Sequence, residues 1–97
     1  MTYRLVIKQE AVLDTQAAYD YYERQKPGLG ERFLEHLVAR YNDISTDPEN
    51  YSFLSGDERK ILRDIKLRSF PFVVIFEISA TDEVVVYSVR NTHRKPR

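Results

Sequence analysis

The spacing of apolar residues changes once along this 97-residue chain, and that change constrains its fold more than any other feature. Between Glu10 and Asp47 the apolar residues recur three and four apart, the period of a helix packed on one side. From Arg59 onward they alternate, the period of a strand. In the first part, Leu13, Ala17 and Tyr21 lie four apart with Ala18 and Tyr22 beside them, which predicts a helix over 10–26 with this stripe in the core. Pro27 and Gly28 break it, since proline disfavours helical geometry in the residue before it. A second helix is predicted over 29–47, with a stripe of Phe33, Leu37, Tyr41 and Ile44 widened by Leu34 and Val38, and stopped at Asp47-Pro48. So short a link predicts an antiparallel helical hairpin.

Strands flank this pair. "YRLVIK" (3–8) reads as a short strand before the helices, and "YSFL" (51–54) as a short extended piece after them. After a turn at 55–58, "RKILRDIKL" (59–67) alternates. "FPFVVIFEI" (70–78) is apolar on both faces, as a central strand should be, and a turn at 79–83 leads to a last strand at 84–89. The order β-α-α-β-β-β with segregated helices predicts an α+β class: a helical hairpin on one face of a small, mostly antiparallel sheet. No repeat, linker or low-complexity run divides residues 1–97, which read as one domain.

Composition supports one core and removes several chemistries. Seven Tyr and five Phe within a 42% hydrophobic chain suffice for a domain of this size. With no cysteine there is neither a disulfide nor a thiolate metal site, which suits a reducing cytoplasm. No apolar run reaches membrane-spanning length, so no membrane partner is expected. Gly28 and Gly30 sit between helices and follow no strand, unlike a phosphate-binding loop. His36 and His93 belong to different elements with no acidic cluster near them in sequence, so neither a metal nor a cofactor is expected, and His36 reads as a helix-edge residue.

Charge is distributed unevenly behind a formal net charge of zero. Residues 1–58 hold six Lys/Arg against eleven Asp/Glu, a balance of −5, and residues 59–97 hold nine against four, a balance of +5. On the 59–68 strand Lys60, Lys66 and Arg68 fall on one alternation with Leu62 and Asp64, while Arg63 shares the other with Ile61 and Ile65. An arginine on an apolar strand face needs a partner or an opening to solvent. The end or edge of a sheet could bring Arg59, Arg63 or Arg68 near Arg90–Arg94, where arginines can hold phosphate oxygens bidentately. His93 beside Arg94 adds a proton carrier to a cation, two of the parts that metal-free RNA cleavage requires. A solvated basic tail accounts for the same residues.

Three stretches, "YYERQKPGLGERFLEHL" (21–37), "LRSFPFVVIFEI" (67–78) and "VVVYSVRNTHRKP" (84–96), resemble the RelE/ParE superfamily of type II toxin–antitoxin toxins, nearest to its ParE-type, plasmid-stabilisation branch. The resemblance covers almost the whole chain and implies the same helical hairpin on a sheet. It implies a growth-arresting toxin held inactive by a cognate antitoxin in an oligomeric complex, with DNA gyrase as the target. The alternatives it leaves are a ribosome-dependent messenger-RNA endoribonuclease of the RelE type and a non-toxic relative that only binds antitoxin. Under the nuclease reading Arg68, His93 and Arg94 are the catalytic candidates. Target or antitoxin binding falls to Arg59, Lys60, Arg63, Arg68, Phe72, Arg90 and Arg94, with Tyr19 and Tyr22 as further apolar contacts. Tyr21 and Tyr22 are otherwise expected in the hairpin core. The chain departs from ParE-type sequences at Asn91 and Lys95, where they often carry His and Asp, and it has no aromatic residue after Arg94 to stack on a base.

Overall fold

The computed structural model describes residues 2–80 and 82–93. Its elements are β1 (Arg4–Ile7), α1 (Gln9–Gln25), α2 (Leu29–Thr46), a 3-10 turn at Pro48–Asn50, β2 (Leu62–Lys66), β3 (Phe72–Ala80) and β4 (Glu83–Asn91). The strands form one sheet in the order β1-β4-β3-β2. β2, β3 and β4 are antiparallel neighbours, and β1 runs parallel to β4. The expected α+β architecture is the one observed.

The helical hairpin is built around a single carboxylate. Gly28 takes a left-handed φ of 89°, which glycine adopts without strain, and turns the chain into α2. The amides at the start of a helix have no partner within it, and Glu23 supplies one from α1: its carboxylate accepts from Gly28 N–H (3.0 Å) and Gly30 N–H (2.9 Å). Gly30 must also lack a side chain, because a Cβ there would stand 2.8 Å from Glu23 Oε1 and 2.9 Å from the Tyr19 ring. The Tyr19 hydroxyl donates to Glu31 across the hairpin at 3.0 Å. The "ERQKPGLG" stretch is therefore scaffold: each of its unusual residues has a job in the turn.

The two helices differ in what they bury. α2 turns in Phe33, Leu37 and Ile44, the core of its expected stripe, with Tyr41 and Leu34 half-buried and Val38 exposed. α1 corrects the expectation. Its inward face is Ala11 and Ala18 with half-buried Tyr22, while Leu13 (60% exposed), Ala17 and Tyr21 (53% exposed) face outward. Under the helices, Tyr22, Phe33, Phe70 and Phe72 form an aromatic cluster with centroids 5.0–5.6 Å apart, edge-to-face for Tyr22–Phe70, Phe33–Phe72 and Phe33–Phe70 and tilted for Tyr22–Phe33. Such pairs add about 0.5–1.5 kcal/mol each beyond area burial.

The sheet meets this layer through Ile65, Phe72, Val74, Phe76, Val84, Val86 and Val89. Val86 and Val89 share a face although three residues apart, because the register slips between Ile75↔Ser88 and Phe76↔Val86 and leaves Tyr87 as an extra residue. This β-bulge re-aims the end of β4. β2 is shorter than the alternation predicts. The Asp57 carboxylate accepts from Leu62 N–H (2.7 Å) and Ile61 N–H (3.0 Å), and Lys60 takes a left-handed φ of 56°. Residues 59–61 are thus held as a turn, and the same bonds, with Arg59 beside them, hold the Asp57 pKa down at about 2. The extended piece at 51–54 lies along β2: Leu54 N–H donates to Leu62 O at 2.7 Å, and Phe53 pairs with Arg63.

Candidate functional site

With both helices on one face, the other face of the sheet carries no helix among the described residues. The ladder sets three rows across it: Leu62–Glu77–Val85, Asp64–Ile75–Ser88 and Lys66–Val73–Arg90. Its centre is well packed even without helices, since Ile75 and Val85 are only 3% and 6% exposed. Burial pushes the Asp64 carboxyl up from its usual range, against the opposing pull of Lys66. Tyr87 uses its place in the bulge to donate to Glu77, the main reason its own pKa is raised. The third row is cationic, with Lys66 and Arg90 exposed on either side of Val73.

The loop from β2 to β3 closes over the same end of the sheet. Leu67 N–H donates to Phe72 O (2.9 Å), Thr92 N–H donates to Pro71 O (2.7 Å), and Ser69 takes a φ of 68°. Arg68, Arg90 and His93 are brought to this one end, all three exposed. The His93 backbone is fixed by donating to Asn91 Oδ1 at 2.8 Å.

The other predicted residues are placed elsewhere. Arg59 and Lys60 sit in the turn before β2, at the opposite end of that strand from Lys66, with Arg59 paired to Asp57 at 3.2 Å. Arg63 is engaged in the fold: its Nη1 donates to Tyr51 O (2.6 Å), and its guanidinium lies 4.1 Å from the Phe53 ring centre. This is how a strand arginine shares a face with Ile65. Phe72 and Tyr22 belong to the aromatic cluster, Tyr19 is tied to Glu31, and His36 packs edge-on against Phe70. Arg94 lies outside the described residues.

Around the edge of β4 from the cationic row, a groove of about 1050 Å³ runs between α1 and the end of that strand. Ala17, Tyr21 and Phe72 give it an apolar floor and wall. Glu10 and Asp14 line it from the first half of α1, whereas Arg24, Arg90 and His93 line it from the ends of α1 and β4. Sequence reasoning missed Lys66, Asp14 and Tyr21 as surface residues of interest. The signal for Lys66 was its alternation with Arg68; nothing in the sequence marked the other two. Among the described residues no group of His, Asp or Glu is arranged to hold a metal ion, and no helix is long and apolar enough to cross a membrane.

Comparisons with known proteins agree with this architecture. In the P. aeruginosa chromosomal ParDE toxin–antitoxin system, a chain 16% identical superposes with a TM-score of 0.81, covering 95% of this chain and 98% of that one. An arginine double mutant of the E. coli toxin RelE in its free state superposes at 0.54 with 22% identity, covering 96% and 86%. A chain of the archaeal RelE–RelB complex from Pyrococcus horikoshii OT3 does so at 0.50 with 22% identity, covering 98% and 100%. A search of curated sequences returns no match. The family model for the ParE toxin of the type II toxin–antitoxin system parDE matches residues 5–96. The chain belongs to the ParE toxin family, the ParE-like branch of the RelE/ParE superfamily.

Proposed function

We propose that this ParE-family toxin arrests growth in the cytoplasm by inhibiting DNA gyrase, and that a cognate antitoxin neutralises it. The observation that carries the reading is the family match over residues 5–96. The geometry supports an interaction surface: a cationic row of Lys66 and Arg90, with Arg68 and His93 at the same end of the sheet, beside a groove with an apolar wall. Such a surface suits recognition of an acidic, amphipathic segment or of a phosphate-bearing target. No cofactor enters the proposal.

Messenger-RNA cleavage is the competing reading, because it too would draw on Arg68 and His93, together with Arg94. The two are separated by inducing the chain alone in bacterial cells and following thymidine and methionine incorporation over the first minutes. The gyrase reading expects DNA synthesis to fall first while translation continues, and purified chain to block supercoiling by purified gyrase. Early loss of translation with gyrase unaffected overturns it in favour of RNA cleavage. Unchanged growth overturns toxicity itself.

A further inference from the structure

The edges of the sheet are blunted by different means. On β2, Leu62 O accepts from Leu54 N–H (2.7 Å) and Asp64 N–H donates to Ser52 O (3.3 Å), so the 51–54 piece lies along that edge. Beyond this piece, Arg40 Nε reaches from α2 and donates to Lys66 O at 2.8 Å. β1 is only four residues long, lies between exposed Arg4 and Lys8, and is preceded by Tyr3, whose N–H donates to Ser45 O at 2.6 Å.

β4 outruns β1. Their ladder ends at Ile7↔Val86, with Lys8 N–H donating to Val86 O at 2.9 Å, and β4 continues to Asn91. Successive residues of an antiparallel strand point their N–H and C=O groups to alternate sides. Thr92 N–H donates to Pro71 O on the β3 side, so Val89 and Asn91 turn theirs away from it. Asn91 N–H has no hydrogen-bond partner among the described residues. Val89 N–H has one, the Asp14 carboxylate of α1 at 2.9 Å, from 75 residues away in sequence. An open edge is a template for another strand, and every further copy of the chain brings an identical one. A two-fold axis at Val89 would let the N–H of each copy meet the other's carbonyl there.

We propose that Asp14 is an edge guard: its carboxylate takes the place of a strand carbonyl at Val89 N–H and so keeps the free chain from pairing β4 with a second copy of itself. The position suits the task. Buried Ala11 and Ala18 bring α1 close to β4, so a side chain as short as aspartate reaches the strand. A carboxylate only accepts, so it satisfies the donor of the strand and offers an approaching carbonyl no bond. Arg40 is its counterpart on β2, a side-chain donor on the edge carbonyl of Lys66.

The test follows the full chain alone, by sedimentation and by backbone amide exchange. In the parent, the Val89 amide should exchange at least about tenfold more slowly than that of Asn91 at every concentration, with the chain monomeric throughout. Asp14→Ala should strengthen self-association at least about tenfold, with the Val89 and Asn91 amides gaining protection as concentration rises. Asp14→Asn keeps an acceptor at that place and should stay monomeric. Adding Asn91→Pro to Asp14→Ala removes an outward donor, spares the β3 ladder and should restore the monomer. A purely structural tie between α1 and β4 predicts lower stability for Asp14→Ala with no dependence on concentration, so a folded, monomeric Asp14→Ala overturns the proposal. Self-association of the parent or of Asp14→Asn to the same degree overturns it too, as does a Val89 amide that exchanges as fast as Asn91 in the parent. Association that survives Asn91→Pro without protection of Val89 does the same. If Asp14→Ala does not fold, Asp14→Ser, one bond shorter than aspartate, takes its place. Loss of the fold in both makes the contact structural and overturns the guard.

Discussion

Helix α2 turns Phe33, Leu37 and Ile44 into the core, whereas α1 meets the sheet through Ala11 and Ala18 and leaves Leu13 and Tyr21 outside. Small side chains at a contact let backbones approach closely, and α1 lies near enough to β4 for Asp14 to reach the Val89 amide. Leu13 and Tyr21 therefore have no place beneath it, and Tyr22, near its C-terminal end, is the large side chain that α1 packs half-buried against Phe70 and Phe72. The comparison teaches that equal apolar stripes can be spent differently: that of α2 holds the domain together, and that of α1 gives one wall to the groove.

Four substitutions test this contrast. Phe33→Ala should cost about 3–5 kcal/mol in urea unfolding, a large part of the stability of so small a domain. A loss under about 1 kcal/mol would remove α2 from its role. Gly30→Ala forces a Cβ against Tyr19 and Glu23 and should cost about 1–3 kcal/mol, by the same measurement, although no buried apolar surface is lost. Tyr41, on α2 facing α1, has its hydroxyl buried with no well-formed hydrogen bond among the described residues, and burial, only weakly opposed by nearby Thr15, pushes its pKa up to about 12. A folded-state pKa above the unfolded value means the folded chain holds the proton longer, so this stabilisation is complete below pH ~10 and is lost as pH rises toward 12. Tyr41→Phe should therefore unfold within about 1 kcal/mol of the parent at pH 7 and be about 1–2 kcal/mol more stable near pH 12. Leu13→Ala is the smallest expected change, within about 0.5 kcal/mol in the same assay, because its side chain is already in solvent. If Leu13→Ala proved as damaging as Phe33→Ala, the contrast between the helices would collapse.

The fold was legible because the change of period is a direct image of the layers. Helices covered by a sheet repeat near every fourth residue, strands every second, and β3 showed its central place by being apolar on both sides. The orientation of α1 was not legible, since periodicity reports that a stripe exists and not which way it turns; two alanines outcompeted leucine and tyrosine for the core because the space beneath was narrow. The start of β2 was hidden for a similar reason. Arg59, Lys60 and Ile61 alternate with their successors, yet a carboxylate two residues before Arg59 binds the amides of Ile61 and Leu62 and holds a turn there. At the candidate site, the convergence of Arg68, Arg90 and His93 could be anticipated because the last strand and the β2–β3 loop share one end of the sheet. The diversion of Arg63 to Tyr51 and Phe53 could not, because it depends on the 51–54 segment folding back along the edge.

The parallel pairing of β1 with β4 has a consequence for how the molecule comes into being. Arg4 and Glu83, bonded side chain to side chain at 2.9 Å, are 79 residues apart in sequence. Chains are made from the N-terminus, so β1 must wait unpaired until β4, some 79 residues further on, has been synthesised. The α1–α2 hairpin, held by contacts between near neighbours, can form long before that, while closing so long a loop is the slow kind of step. The sheet surface and the groove beside β4 are therefore completed after the helical hairpin, which makes that surface a property of the whole folded sheet and not of its N-terminal half.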